Sequence, residues 1–358
     1  SMVLTALFDL KNRVGIVLVS GLLITFPTVA SLYSYMFAAD PFLLSCLLGA
    51  LAAFCVCRIP GHRGWIAGAA LLCCSVGIYQ AYLSFTLILM LMFFVLMLLQ
   101  PDTWDDKAIL NMAVRYILML ATGMGAYYLG MVVTLKVKHT QLSSYQGIND
   151  SSIPGLSEIR QRIVKVIQDF TDFFRPSQVL AFNGWMQFAL LLSLLLLAFF
   201  FFLLYGKNRV YKSLLRNLFL PVCILCIPPS LNVFYLISSG ANIHMLMRHA
   251  WCLLFIGVAV FYEKGAPLCR EAGRRLLEWA SFTALFLVIW NYILLSNIAY
   301  FNMNFRYEKT YALCIKIMDR IEQSEEYDRD RPIAFIGNYS KTYKMEATEN
   351  LLDPMTGM

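Results

Sequence analysis

The chain has 358 residues, 59% of them hydrophobic and only 14% charged, with a formal net charge of +7. Soluble domains carry about a quarter charged residues, so a wholly soluble protein is excluded. The positive charge sits in short connections, where it reports membrane orientation rather than a nucleic-acid partner. The ten cysteines fall mostly inside apolar runs, as expected for residues that pack helices rather than bind metal or form disulfides.

Taken in order, Ser1-Met2 reads as a tag remnant before a native start. About nine spans follow, by the rule of ~20 apolar residues per helix. They run Val14–Phe37, Pro41–Cys57, Gly64–Val76, Tyr82–Leu99, Ile109–Leu135, Phe182–Tyr205, Leu214–Leu236, His249–Tyr262 and Leu276–Phe301. The basic connections at Lys11/Arg13, Arg58–Arg63, Lys207–Arg216 and Lys264–Arg275 all fall on one side, which the positive-inside rule makes cytoplasmic. The expected fold is therefore an all-α polytopic membrane protein, with its C-terminus outside. The stretch Ser75-Val-Gly-Ile-Tyr-Gln-Ala-Tyr-Leu-Ser84 sits inside an uncharged apolar run. The chain is expected to turn through it at the outer face, with Gly77 permitting the bend.

Two polar stretches are expected outside. Within the first, Lys136 to Gln178, apolar residues from Leu156 to Phe174 recur at helical spacing opposite Arg160, Arg162, Lys165, Asp169 and Asp172. That pattern predicts an amphipathic helix lying in the membrane interface, or alternatively a face that docks a partner helix. The second stretch, 302–358, opens as a charged helical segment. Arg331-Pro and the apolar Ile333–Gly337 follow and predict a strand. Residues 1–301 are thus read as a membrane domain and 302–358 as a small α/β appendage.

No Walker A loop, Rossmann glycine pattern, HExxH or zinc spacing occurs, so no cofactor and no metal ligands are assigned. Asp105-Asp106 reads as a helix entry, not a metal pair. Four polar constellations meet at the expected outer face. Asp40, before Pro41, is placed to act as a base or hold a hydroxyl, although Asp-Pro is also a common helix-start pair. Tyr79, Gln80 and Tyr82 offer hydrogen bonds at the turn, where an interfacial aromatic belt is the plainer reading. Tyr145 and Gln146 lie in the outer loop beside Lys136, Lys138 and His139. His244, Arg248 and His249 suit an anchor for a lipid phosphate, set against ordinary snorkelling of Arg248.

At these residues the chain resembles the GtrII-type bacterial glucosyltransferases. The shared pieces are Thr25-Phe-Pro27, Tyr35-Met-Phe-Ala-Ala-Asp40, Ser75–Leu83, Tyr145-Gln-Gly147, His244-Met-Leu-Met247, Asn297-Ile-Ala-Tyr300 and the segment from Glu308 to Glu322. The resemblance implies a GT-C-like enzyme of the bacterial cytoplasmic membrane with an extracytoplasmic active face. It would take glucose or a related sugar from a polyprenyl-phosphate donor and place it on a surface glycan, O-antigen or cell-wall polymer. A donor synthase and a flippase are the implied partners. Family members begin with an earlier span and an acidic outer loop that houses the main carboxylate. This sequence starts just before what would be a later span, leaving Asp40 as the catalytic candidate within it. Tyr79, Gln80, Tyr82, Tyr145, Gln146, His244 and Arg248 are the substrate-binding candidates. A lipid-linked-sugar flippase or transporter, and a glycan polymerase, remain as alternatives. A transporter would place paired charges near the midplane, whereas these spans are almost free of charge.

Overall fold

The computed structural model describes residues 1–140, 156–174, 183–237, 243–325, 327–330 and 332–334. It is a bundle of helices, and no strand occurs among the described residues. The chain opens with α1 (Met2–Phe8), α2 (Arg13–Thr25), α3 (Pro27–Tyr33), α4 (Met36–Arg58) and α5 (Gly61–Ile78). Next come α6 (Leu83–Leu99), α7 (Asp106–Lys138), α8 (Leu156–Phe173) and α9 (Gly184–Lys207). It closes with α10 (Leu214–Leu225), α11 (Ile227–Leu231), α12 (Val233–Ile237), α13 (Cys252–Gly265) and α14 (Glu271–Glu322). Six helices (α4, the unit formed by α6 and the turn before it, α7, α9, α13 with its flanking turns, and α14) are long and apolar enough to cross a membrane. The bent pair α2–α3 raises the number to as many as seven. This is the composition of an all-α membrane protein.

The expected count of about nine spans is therefore not met by length and composition alone. Helix α5 opens with Gly61-His-Arg63 and is diluted by glycine and alanine. The expected span 214–236 breaks into α10, α11 and α12, because Pro228-Pro229 supplies no backbone donors. The bend between α2 and α3 measures 41°. It follows from Thr25-Phe-Pro27: the residue before a proline is driven to extended backbone, and Phe26 sits at φ −58°, ψ 136° with Pro27 in the first helical turn.

The two ends of the bundle differ in chemistry. At one end polar side chains cross-link the connections. The Asn12 backbone N–H donates to Glu263 Oε2 (3.3 Å), and its side chain donates to Glu278 Oε1 (3.0 Å). Arg58 Nε donates to the Leu7 carbonyl (2.9 Å), and Asn208 Nδ2 to the Leu99 carbonyl (2.7 Å). Arg216, almost wholly buried, donates to the carbonyls of Met97 (3.0 Å), Leu98 (2.8 Å) and Trp104 and pairs with Asp106 at 3.3 Å. These carbonyls lie at or just beyond the end of α6, where a helix leaves acceptors unpaired. Asp105 caps α7 by accepting from the Ala108 N–H at 2.8 Å, so both acids of the Asp-Asp pair are committed to structure. The other end of the bundle is aromatic.

Helix α14 runs from the charged end, where Glu278 meets Asn12, to the aromatic end, where Tyr292 meets Phe26. At 52 residues and ~1.5 Å of rise each it is about 78 Å long, far beyond a ~30 Å hydrocarbon core. The charged segment after Phe301 continues α14 without a break as far as Glu322. Ile333 and Ala334 are not in a strand, and the rest of the expected strand, 335–337, lies outside the described residues.

Candidate functional site

The turn at 75–84 forms where the sequence predicted, by a different device. Helix α5 continues through Gly77, and the chain breaks at Tyr79, which is extended at φ −152°, ψ 109°. A single 3-10 turn, Gln80–Tyr82, then leads into α6. The close approach of α4 and α5 fixes this corner. Ser45 Oγ donates to the Ser75 carbonyl, and Ser75 Oγ to the Ser45 carbonyl, each at 2.8 Å. Tyr79 stacks on Phe42 (4.1 Å between centroids) and meets Tyr82 edge-on (5.6 Å). Burial, with a smaller contribution from Tyr35, holds the Tyr79 phenol protonated well above its ordinary range. Gln80 turns the other way and donates from Nε2 to the Tyr127 hydroxyl.

Around Tyr79 and Tyr82 the fold assembles residues from distant parts of the chain. His249 is stacked on Phe85 (5.5 Å) and meets the edges of Tyr82 and Phe26, both at 6.2 Å. Phe26 continues to Tyr292 at 5.3 Å, and Tyr292 to Phe255 at 6.1 Å. Trp251 stacks on Phe173 of α8 at 4.2 Å. The helix break at Phe26 positions α3, whose Thr28 Oγ1 donates to the Met245 carbonyl at 2.9 Å. That bond fixes the 3-10 turns that carry Arg248 and His249. Among the described residues eleven buried side-chain N and O atoms have no hydrogen-bond partner, and six of them lie on α3 and the residues of this cluster: Ser31 Oγ, the hydroxyls of Tyr79, Tyr82 and Tyr292, His249 Nδ1 and Trp251 Nε1. Native interiors satisfy nearly all such atoms, so their concentration at one end of the bundle marks this region.

Arg248 lies at the rim. Its guanidinium makes a two-pronged pair with Asp169 of α8, Nη1 donating to Oδ2 at 3.1 Å and Nη2 to Oδ1. It also lies 5.7 Å from the Trp251 ring centroid. Arg162 secures α8 by donating from Nη1 to the carbonyls of Leu236 (2.7 Å) and Ile237 (3.0 Å), the orphan acceptors at the end of α12. Lys165 sits 4.9 Å from the Tyr235 ring.

Of the expected site residues, Tyr79 and Tyr82 come together, and Arg248 reaches the same cluster through Trp251 and its neighbour His249. Gln80 borders the cluster but faces α7. His244 precedes the turn Met245–Met247. Asp40 is exposed in the second turn of α4, which begins at Met36. Asp40 and Pro41 are therefore inside a helix and do not start one, and the helix-start reading of Asp-Pro is corrected. Tyr145 and Gln146 lie outside the described residues. Sequence reasoning missed Phe26, Trp251, Tyr292 and Asp169. The Thr25-Phe-Pro27 break was the one local signal that pointed toward any of them.

Among the described residues no three His, Cys, Asp or Glu side chains converge as metal ligands. No curated protein and no solved structure matches the chain. Residues 1–262 match the family described as Glucosyl transferase GtrII. The break at Phe26, the turn at 79–82 and the Arg248 segment all fall within that match, and the chain belongs to the GtrII glucosyl transferase family.

Proposed function

We propose that this protein transfers glucose, or a related sugar, from a polyprenyl-phosphate donor to a cell-surface glycan at the outer face of the bacterial cytoplasmic membrane. The observation that carries this reading is the cluster of buried polar atoms on Ser31, Tyr79, Tyr82, His249, Trp251 and Tyr292 that have no hydrogen-bond partner among the described residues, with Arg248 at its rim. Hydroxyls of a sugar would satisfy such atoms, and the rings supply faces for it to stack on. The cluster lies at the bundle end opposite the short basic connections, and the positive-inside rule, which reads those connections as cytoplasmic, supports a site at the outer face.

In this mechanism an acceptor hydroxyl attacks the sugar C1, a carboxylate takes its proton, and the lipid phosphate departs with the bonding pair. Arg248, held by Asp169 and backed by Trp251, faces the developing phosphate charge with its direction already set, so little reorganisation is needed as the bond breaks. His244, in the same segment, is its helper. Asp40 is the proposed carboxylate, orienting a hydroxyl or assisting proton removal. Tyr145 and Gln146 are assigned to substrate binding. A donor synthase and a flippase would supply the lipid-linked sugar.

Transfer from polyprenyl-phosphate glucose to glycan, followed in membranes carrying Arg248→Gln or Asp40→Asn, tests the reading. Each variant should lower turnover by about a hundredfold or more, the range of a lost transition-state contact, with folded protein still present. Full transfer by both variants would remove the site assignment.

A further inference from the structure

A second feature lies deeper in the bundle. A cavity of about 320 Å³ sits between α6, α9, α13 and the break between α10 and α11. Every residue lining it is apolar, from Ile88 and Met92 on α6 to Leu253 and Gly257 on α13. Its inner walls are buried, Ile88 at 2% and Leu253 at 0% exposure. Its outer walls reach the surface of the bundle at Leu194 of α9 (47%) and Ile224 of α10 (46%). The cavity is thus bordered by the lipid-facing flank between α9 and α10, so an occupant would arrive from the bilayer rather than from water. The α10–α11 break supplies part of this wall, and Gly257 leaves α13 without a side chain where it faces Leu197 and Met92.

We propose that this cavity seats the hydrocarbon tail of the lipid-phosphate donor. The inference rests on the donor class given under Proposed function and adds a binding site to it. With no polar side chain in the lining, the occupant is hydrocarbon; an apolar cavity of ~150 Å³ stays dry and takes up benzene. Leu253 and Leu254 follow Trp251 within one turn, and Arg248 lies about 10 Å above them at ~1.5–2 Å of rise per residue. A phosphate at Arg248 would therefore have its chain directed down α13 into the cavity, while the sugar remains among the unpaired polar atoms.

The test uses the full chain in nanodiscs with two photoreactive probes, a polyprenyl monophosphate with a diazirine in its tail and a phosphatidylethanolamine with a diazirine in one acyl chain. The expected result is that the polyprenyl probe labels peptides containing Met92, Leu197 or Leu253, and that unlabelled polyprenyl phosphate competes this away. Gly257→Leu and Ala198→Phe, which fill the space from two helices, should each cut that labelling by about tenfold, the scale of a few lost methylene contacts. They should also raise the KM for long-chain donor while leaving a two-isoprene donor unaffected. The proposal is overturned if the phosphatidylethanolamine probe labels the same peptides equally well, since the cavity would then hold bulk lipid. Equal losses with long and short donors would overturn it too. Competed labelling without any sugar transfer would instead remove the functional reading and leave the lipid site standing; transfer without labelling would do the reverse.

Discussion

At the scale of single residues, Arg248 and His249 are neighbours in the chain with opposite surroundings. Arg248 is paired with Asp169 at 17% and 14% side-chain exposure, low enough for the pair to be only weakly screened by solvent. Hydrogen bonds to charged groups contribute roughly 1.5–3 kcal/mol. A double-mutant cycle of Arg248→Gln and Asp169→Asn on thermal stability should therefore give a coupling of about that size; a value within error of zero would mean the pair is not formed in the membrane. His249 is the reverse case, with Nδ1 buried and without a hydrogen-bond partner among the described residues. Replacing a polar group that has no partner by an apolar ring of similar shape costs little. His249→Phe, which can keep the stack on Phe85, is expected to leave the melting temperature unchanged or raised while sugar transfer falls about tenfold or more. If stability and transfer fell together, the imidazole would be a packing element rather than part of the site.

At the scale of elements, small residues set the distance between α4, α5, α6 and α7. A Cβ added to Gly64 would lie 2.2 Å from the Ile59 carbonyl and 2.7 Å from the Cys55 carbonyl, both backbone atoms that cannot swing away. One added to Gly49 would meet Thr86 Oγ1 at 2.6 Å, a side chain with some freedom. Overpacking of this kind costs about 1–3 kcal/mol. Gly64→Ala is therefore expected to lower the melting temperature in detergent more than Gly49→Ala does, and the opposite order would show that the α4–α5 connection yields. Helix α8 is an amphipathic helix as its spacing predicted, but it presents two apolar faces. Val166 and Phe173 are buried against the bundle, while Ile159, Ile163 and Ile167 are 40–52% exposed at four-residue spacing. Phe173 on the first face docks the helix at the start of α13, and Arg162 ties it to the end of α12; the second is the face expected in the lipid interface. Phe173 thus packs on Trp251 instead of reaching lipid.

At the scale of the whole molecule, the direction of α14 links the tail to the site. The helix leaves the bundle at the aromatic end, so the segment after Phe301 emerges on the side of Tyr79, Tyr82 and Arg248. Cys314, exposed on that extension, is a native reporter. In a background where the other cysteines are replaced, a membrane-impermeant maleimide should label it in intact cells. Labelling only after lysis would place both the tail and the proposed site on the cytoplasmic side.

Some of this was determined by the sequence alone. Apolar runs and the distribution of Lys and Arg depend on residue identity summed over a window, so the membrane class and the gathering of basic connections at one end were legible without any contact. So were the turn at 79–82 and the cap at Asp105, which depend on a few adjacent residues. The composition of the site was not. Phe26, Tyr82, His249 and Tyr292 are brought together only because α2 bends, α6 turns and α14 crosses beside them. The pairing of Arg248 with Asp169 spans 79 positions of sequence. An arginine at a span entry reads the same from sequence whether it snorkels to lipid or is held by a carboxylate. The partner was chosen by the docking of α8, a long-range packing event that local propensity and periodicity do not encode.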